Sequence, residues 1–124
     1  MDGRIRGVLK GMKGSLDNNI KVGDMAVIAG LSVWYFGHLF KEQVGRSPAS
    51  YLKSLRMKAA KQLLETTSLS VKVIRVKVGF QGDSHFVRDF QLIYGYSPER
   101  FRQRAAVRSL RRSVTKAITE SANR

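Results

Sequence analysis

The polar side chains able to do chemistry in this sequence are suited to holding an anion and unsuited to breaking bonds. Lys and Arg number 23 against 9 Asp and Glu, a formal charge of +14 over 124 residues. Such an imbalance strains a compact fold by self-repulsion, so a polyanionic partner is its natural counterweight. Nucleic acid and an anionic membrane are the two candidates. The two histidines, His38 and His85, fall on non-equivalent helix positions of an internal repeat and belong to no metal-ligand cluster, and there is no Cys to supply a nucleophile or a thiolate ligand. Ser84 adjoins His85, but neighbouring helix positions point apart and make no nucleophile–base pair. No phosphate-loop pattern is present. The chain reads as a binding protein rather than an enzyme, with no catalytic, cofactor or metal residue.

Hydrophobic residues make up 43% of the chain, enough for a core. No apolar run approaches the roughly 18 residues of a spanning helix. Met1-Asp2-Gly3-Arg4-Ile5-Arg6 is not followed by the apolar stretch of a secretory signal. No membrane is therefore expected as a partner, and the missing Cys fits a reducing cytoplasm.

The elements that must position the charges come from a weak internal repeat. One copy runs Ala29-Gly30-Leu31, Phe36, Leu39-Phe40, Gly45, Ser47-Pro48, Tyr51. The other runs Val78-Gly79-Phe80, Phe86, Asp89-Phe90, Gly95, Ser97-Pro98, Phe101. Each copy reads as two helices about a turn. In the first, a helix starting at Gly23 or Asp24 carries Met25, Val27, Ile28 and Ala29 and stops at Gly30. Ser32 then caps a helix over Val33–Val44. In the second, Val71 to Val78 forms a helix ended by Gly79, and Gly82 or Asp83 caps a helix running to Tyr94. The β-branched run Val71, Val73, Ile74, Val76, Val78 also fits a strand; the repeat favours helix. Between the copies, Ala49 to Glu65 carries an apolar stripe of Tyr51, Leu52, Leu55, Ala59, Leu63 and Leu64. Ahead of them, Ile5, Val8, Leu9, Met12 and Leu16 suggest a short helix weakened by Gly3, Gly7, Gly11 and Gly14.

The fold expected is all-α, with two helix-turn-helix subdomains joined by a long linker helix. Residues 1–48 hold the N-terminal helix and first unit, 49–67 the linker helix, 68–103 the second unit, and 104–124 a basic C-terminal extension. In such units the exposed face of the second helix reads bases. On the first, Phe36, Leu39, Phe40 and Val44 form the buried stripe, and Trp34, Gly37, His38 and Lys41 lie opposite. On the second, Phe86, Phe90 and Ile93 are expected inside, with Ser84, Val87, Arg88 and Gln91 outside. Arg can pair with guanine and Gln with adenine. Arg46, Lys53 and Arg102 are expected beside phosphates, which position without specifying.

The series Asp24-Met25-Ala26, Ala29-Gly30-Leu31-Ser32, Phe36, His38-Leu39-Phe40-Lys41, Gly45, Ser47-Pro48 resembles the first helix-turn-helix of AraC/XylS-type transcription regulators. Tyr51-Leu52, Leu55-Arg56, Ala59 and Leu63-Leu64 resemble that family's linker helix. Val78-Gly79-Phe80, Ser84, Phe86, Arg88, Phe90, Gly95-Tyr96-Ser97-Pro98 and Phe101-Arg102 resemble its second unit. The resemblance implies recognition helices in successive major grooves of double-stranded DNA. It also implies bacterial transcription regulation, usually activation through RNA polymerase, in the cytoplasm at the nucleoid. Family base-contact positions fall on Trp34, Gly37, His38 and Lys41, and on Asp83, Ser84, Val87 and Arg88. No effector is implied by any residue. Departures are Gly37 for a long polar residue, His38 for Arg, Val73 for an acid, Arg75 for a small Ala used in close packing, and Gly82 for an Asp or Ser cap. Alternatives from the charge and tail are a non-specific nucleic-acid-binding protein, or an adaptor acting through the tail. In that tail Val107, Leu110, Val114, Ala117 and Ile118 recur at helical spacing among Arg104, Arg108, Arg111, Arg112 and Lys116. It reads as a solvated extension, an amphipathic helix, or a basic arm on DNA.

Overall fold

The computed structural model describes residues 1–14, 16 and 20–123. Residues 15 and 17–19 of the first unit and Arg124 of the tail lie outside the described residues. Among the described residues there are seven helices and no strand. They are α1 (Gly3–Gly14), α2 (Val22–Ala29), α3 (Val33–Val44), α4 (Pro48–Thr66), α5 (Val71–Lys77), α6 (Asp83–Tyr94) and α7 (Pro98–Ala122). The all-α expectation holds.

Serine starts four of these helices in one way. Ser32, Ser47, Ser70 and Ser97 each accept the backbone N–H three residues on, at 3.1 to 3.3 Å. Each such bond satisfies a donor that the first turn leaves without a helical partner. Proline follows at Pro48 and Pro98, where its missing N–H costs nothing. α2 starts one residue earlier than expected, at Val22, because the Asp24 carboxylate reaches back to accept the Lys21 N–H at 2.9 Å. α1 begins beside Asp2, whose carboxylate accepts the Arg4 N–H at 2.7 Å and its guanidinium at 2.9 Å. The bond to that guanidinium is the main reason the Asp2 pKa lies at about 2.

The β-branched segment is a helix, not a strand. Ser70 caps it, and Ile74 and Val78 lie one turn apart on its buried side. Val73 and Val76 face outward.

Two cores result. The first joins Ile5, Val8 and Met12 of α1 to Met25, Ala26, Phe36, Phe40 and Leu52. The second joins Met57, Ala60 and Leu64 of α4 to Ile74, Val78, Phe86 and Phe90. α4 thus serves both: its beginning closes the first core and its end opens the second. Met57 and Ala60 were outside the expected linker stripe and are fully buried. Tyr51, Leu55, Ala59 and Leu63 from that stripe are half-buried. Of the apolar positions on α2, Val27 and Ile28 are exposed. Ile93 also departs from expectation, at 51% exposure. Its equivalent on α3 is Gln43, which accepts the Asp2 N–H at 2.9 Å and so lies under the start of α1. Among the described residues nothing comparable closes over Ile93.

The lobes meet at a tight contact. Gly79 has φ +96°, a left-handed conformation that favours glycine. A Cβ there would run into the Leu16 carbonyl oxygen and lie 2.8 Å from Arg56 Nε. Arg56 Nε itself donates to that Leu16 oxygen at 3.2 Å. One carbonyl from the end of α1 is therefore clasped between the linker helix and the second unit's turn.

Candidate nucleic-acid interface

The site begins with how each second helix is held. On α3, Phe36 and Phe40 are completely buried, with ring centroids 5.8 Å apart. On α6, Phe86 and Phe90 do the same at 6.0 Å. Two aromatics one turn apart fix the rotation of a helix about its axis, so they also fix which side chains face out.

On α3 the outward face carries Trp34, His38 and Lys41, all exposed, with Gly37 half-exposed between them. The Trp34 and His38 rings stack at 4.1 Å between centroids. His38 Nδ1 lies 2.8 Å from the Trp34 carbonyl oxygen. A carbonyl can only accept, so Nδ1 carries a proton and Nε2 is left as the nitrogen directed away from that bond. A Cβ at Gly37 would meet nothing within 4 Å, so the outward face has a notch there.

On α6 Ser84, Arg88 and Gln91 are exposed, whereas Val87 is half-buried and packs against the second core. The Arg88 guanidinium is held from its own helix. Its Nη2 donates to His85 Nδ1 at 3.1 Å, and its Nε lies 3.7 Å from an Asp89 oxygen. Asp89 is bound more closely by Lys53 Nζ from α4, at 2.8 Å. That bond leads the influences that hold the Asp89 carboxyl below the usual carboxylate range. The linker helix α4 is in this way tied to α6.

The three expected phosphate neighbours take different positions. Arg46 is exposed beside the start of α4, its Nη2 donating to Ser50 Oγ at 2.9 Å. Lys53 carries the Asp89 ion pair. Arg102 is half-buried and donates to the Leu64 and Thr67 carbonyls, each at 3.4 Å, which closes the end of α4.

Arg75 and Asp83 form a pairing that the sequence did not suggest. Arg75 is 8% exposed. Its Nη1 donates to the Phe80 carbonyl at 2.7 Å, and its Nε lies 2.6 Å from Asp83 Oδ1 in an ion pair. Tyr35 and His85, at equivalent places on α3 and α6, are both exposed, and His85 contacts Arg88. Among the described residues no cluster of His, Cys, Asp and Glu could hold a metal ion.

Comparison with known proteins places this geometry. A family profile described as a helix-turn-helix domain matches residues 25–104. The chain is 32% identical over 99 residues to the transposon Tn10 TetD protein of Escherichia coli, covering 80% of this chain and 72% of that protein. It is 34% identical over 103 residues to the arabinose operon regulatory protein of Escherichia coli, covering 82% of this chain and 35% of that one. It thus spans most of one relative and about a third of the other. Among solved structures, the DNA-binding domain of AdpA in complex with a target DNA superposes with a TM-score of 0.83 at 25% identity, covering 86% of this chain and 96% of that one. An AraC-type regulator from Chromobacterium violaceum gives 0.75 at 27% identity, covering 83% and 92%. With the repeat, the two aromatic-locked helices and these likenesses together, the chain belongs to the AraC-type helix-turn-helix family of DNA-binding transcription regulators.

Proposed function

We propose that α3 and α6 enter successive major grooves and read a specific site, and that the bound protein activates transcription together with RNA polymerase. The observation that carries this reading is the duplication itself. Two helices are set by matching buried phenylalanine pairs, and each turns a different polar face outward in a chain of charge +14. Different faces on matched frames suit reading a sequence better than gripping a uniform polyanion.

In this reading Trp34, Gly37, His38 and Lys41 line the first groove. Trp34 supplies an apolar contact for a thymine methyl, and His38 Nε2 a polar one. Ser84, Val87, Arg88 and Gln91 line the second. Arg88 pairs with guanine, its guanidinium steadied by His85. Val87 contributes only the part of its surface that the core leaves uncovered. Arg46 approaches a phosphate, whereas Lys53 and Arg102 act there while also holding Asp89 and the end of α4. The helix-turn-helix family match, and AdpA as a neighbour solved on target DNA, support duplex DNA as the partner.

The test begins with genome-wide mapping of bound sites, which supplies the cognate duplex. At physiological salt the protein should prefer it over scrambled DNA by roughly a thousandfold or more. Arg88→Ala should lose about 1–3 kcal/mol on the cognate site and relax one base position. Equal affinity for both duplexes would replace this reading with a non-specific binder, which the charge alone would also serve. Transcription in vitro with purified RNA polymerase tests activation separately.

A further inference from the structure

α7 runs unbroken from Pro98 to Ala122, so the basic extension is the second half of one helix. Its first half is used: Pro98 is buried and Phe101 packs on Phe90 with centroids 5.5 Å apart. Its second half presents Val107, Leu110, Val114 and Ile118, exposed at 51%, 65%, 48% and 63%. Four apolar residues on one helical stripe in water call for an occupant.

The register of that stripe identifies one. Val107, Leu110, Val114 and Ile118 reproduce the spacing of Ile5, Val8, Met12 and Leu16, which with Leu9 are the residues α1 and the segment after it give to the first core. The likeness extends between them. Arg108 and Arg112 stand where α1 has Arg6 and Lys10, and Ser109 and Ser113 where it has Gly7 and Gly11. The end of α7 is thus written in the pattern of α1, without its glycines.

α4 shows that the corresponding geometry is sterically open. It starts at Ser47-Pro48 as α7 starts at Ser97-Pro98, and its Tyr51 serves the first lobe as Phe101 serves the second. One turn further on, Met57, Ala60 and Leu64 form the α1-like face of the next lobe. Val107, Leu110 and Val114 occupy the matching places on α7. A lobe can therefore sit on each side of such a helix, as two already do on α4. At the core-packing positions the charged mismatch with α1 is Arg111 at the place of Leu9, and α4 carries Lys61 there without losing its lobe.

We propose that the second half of α7 is a docking helix for a second copy of this chain, whose first lobe accepts it in place of its own α1. The glycines of α1 make it the replaceable partner. A Cβ at Gly7 or Gly11 would meet nothing within 4 Å, so packing does not require glycine there, while glycine weakens the helix. The joined chains share one groove, formed by Met25, Ala26, Phe36 and Phe40.

Sedimentation of the full chain, from nanomolar to hundreds of micromolar, tests this. The parent should self-associate as concentration rises. Leu110→Asp should abolish the associated species; the residue is exposed, so a thermal melt should show an intact fold. The double variant Gly7→Ala, Gly11→Ala should strengthen α1 and weaken association about tenfold. A parent that stays monomeric overturns the proposal, as does association that survives Leu110→Asp. If Leu110→Asp abolishes association but the alanine pair leaves it unchanged, the helices pair tail to tail and α1 is not displaced.

Discussion

Ala26 and Arg75 hold equivalent places in the two helix-turn-helix units, yet they solve the turn in opposite ways. In the first unit Ala26 is small and buried, and Ser32 caps α3 from within the turn. In the second, Gly82 offers α6 no side-chain cap, and a long Arg75 crosses beneath the turn instead. It holds the Phe80 carbonyl with one nitrogen and faces Asp83, at the start of α6, with another. The backbone paths agree: Leu31 donates to the Ala26 carbonyl at 3.0 Å and Phe80 to that of Arg75 at 3.0 Å. A turn geometry can therefore be fixed by a local cap or by a brace from the preceding helix. The second solution ties α5, turn and α6 into one charged unit.

That contrast can be broken at several depths. Phe40→Ala and Phe90→Ala should each cost about 3–5 kcal/mol in chemical denaturation, because both rings are fully buried at matching places. A cost confined to one of them would mean the lobes are not built on the same core. Arg75→Ala should cost about 1.5–3 kcal/mol, the range for hydrogen bonds to charged groups. The loss should concentrate in hydrogen exchange at Phe80 and the first turn of α6. If Arg75→Ala is neutral, the brace is ornamental and a small residue suffices in both units. Ser32→Ala should cost about 1 kcal/mol and loosen α3 alone. Smallest is Gly37→Ala, which should stabilise α3 by about 0.5–1 kcal/mol in a thermal melt, since open space receives the methyl group.

Much of this architecture is readable from residue order. The spans of α3 and α6 follow from Ser32, Gly45, Gly82 and Gly95 together with phenylalanines one turn apart. The helical state of Val71–Lys77 follows from the repeat and not from its β-branched composition. Contacts between distant elements are what the sequence hides. Arg75 and Gly82 read as two separate departures from the family pattern, and only the side chain's path to Asp83 joins them. Lys53 showed its charge but not its partner, Asp89, which packing brings alongside. Ile93 looked buried because helical spacing says which side a residue faces, not whether anything covers that side. Met57 and Ala60 escaped notice because α4 changes faces partway along, which a single stripe cannot express. On α3 and α6 the outward placement of Trp34, His38, Lys41, Ser84, Arg88 and Gln91 follows from periodicity, whereas the half-burial of Val87, the Trp34–His38 stack and the Arg88–His85 contact needed coordinates.

The unbroken course of α4 through both lobes carries a genetic consequence. Each residue of an α-helix turns the chain by about 100° and advances it about 1.5 Å. Inserting or deleting one amino acid between Leu52 and Met57 would swing everything downstream through more than a quarter circle about that axis. The Leu16 carbonyl would no longer meet Arg56 and Gly79 together. Drift in the length of this segment is therefore closed to the gene except in near-whole turns, while point changes on its outer face stay open.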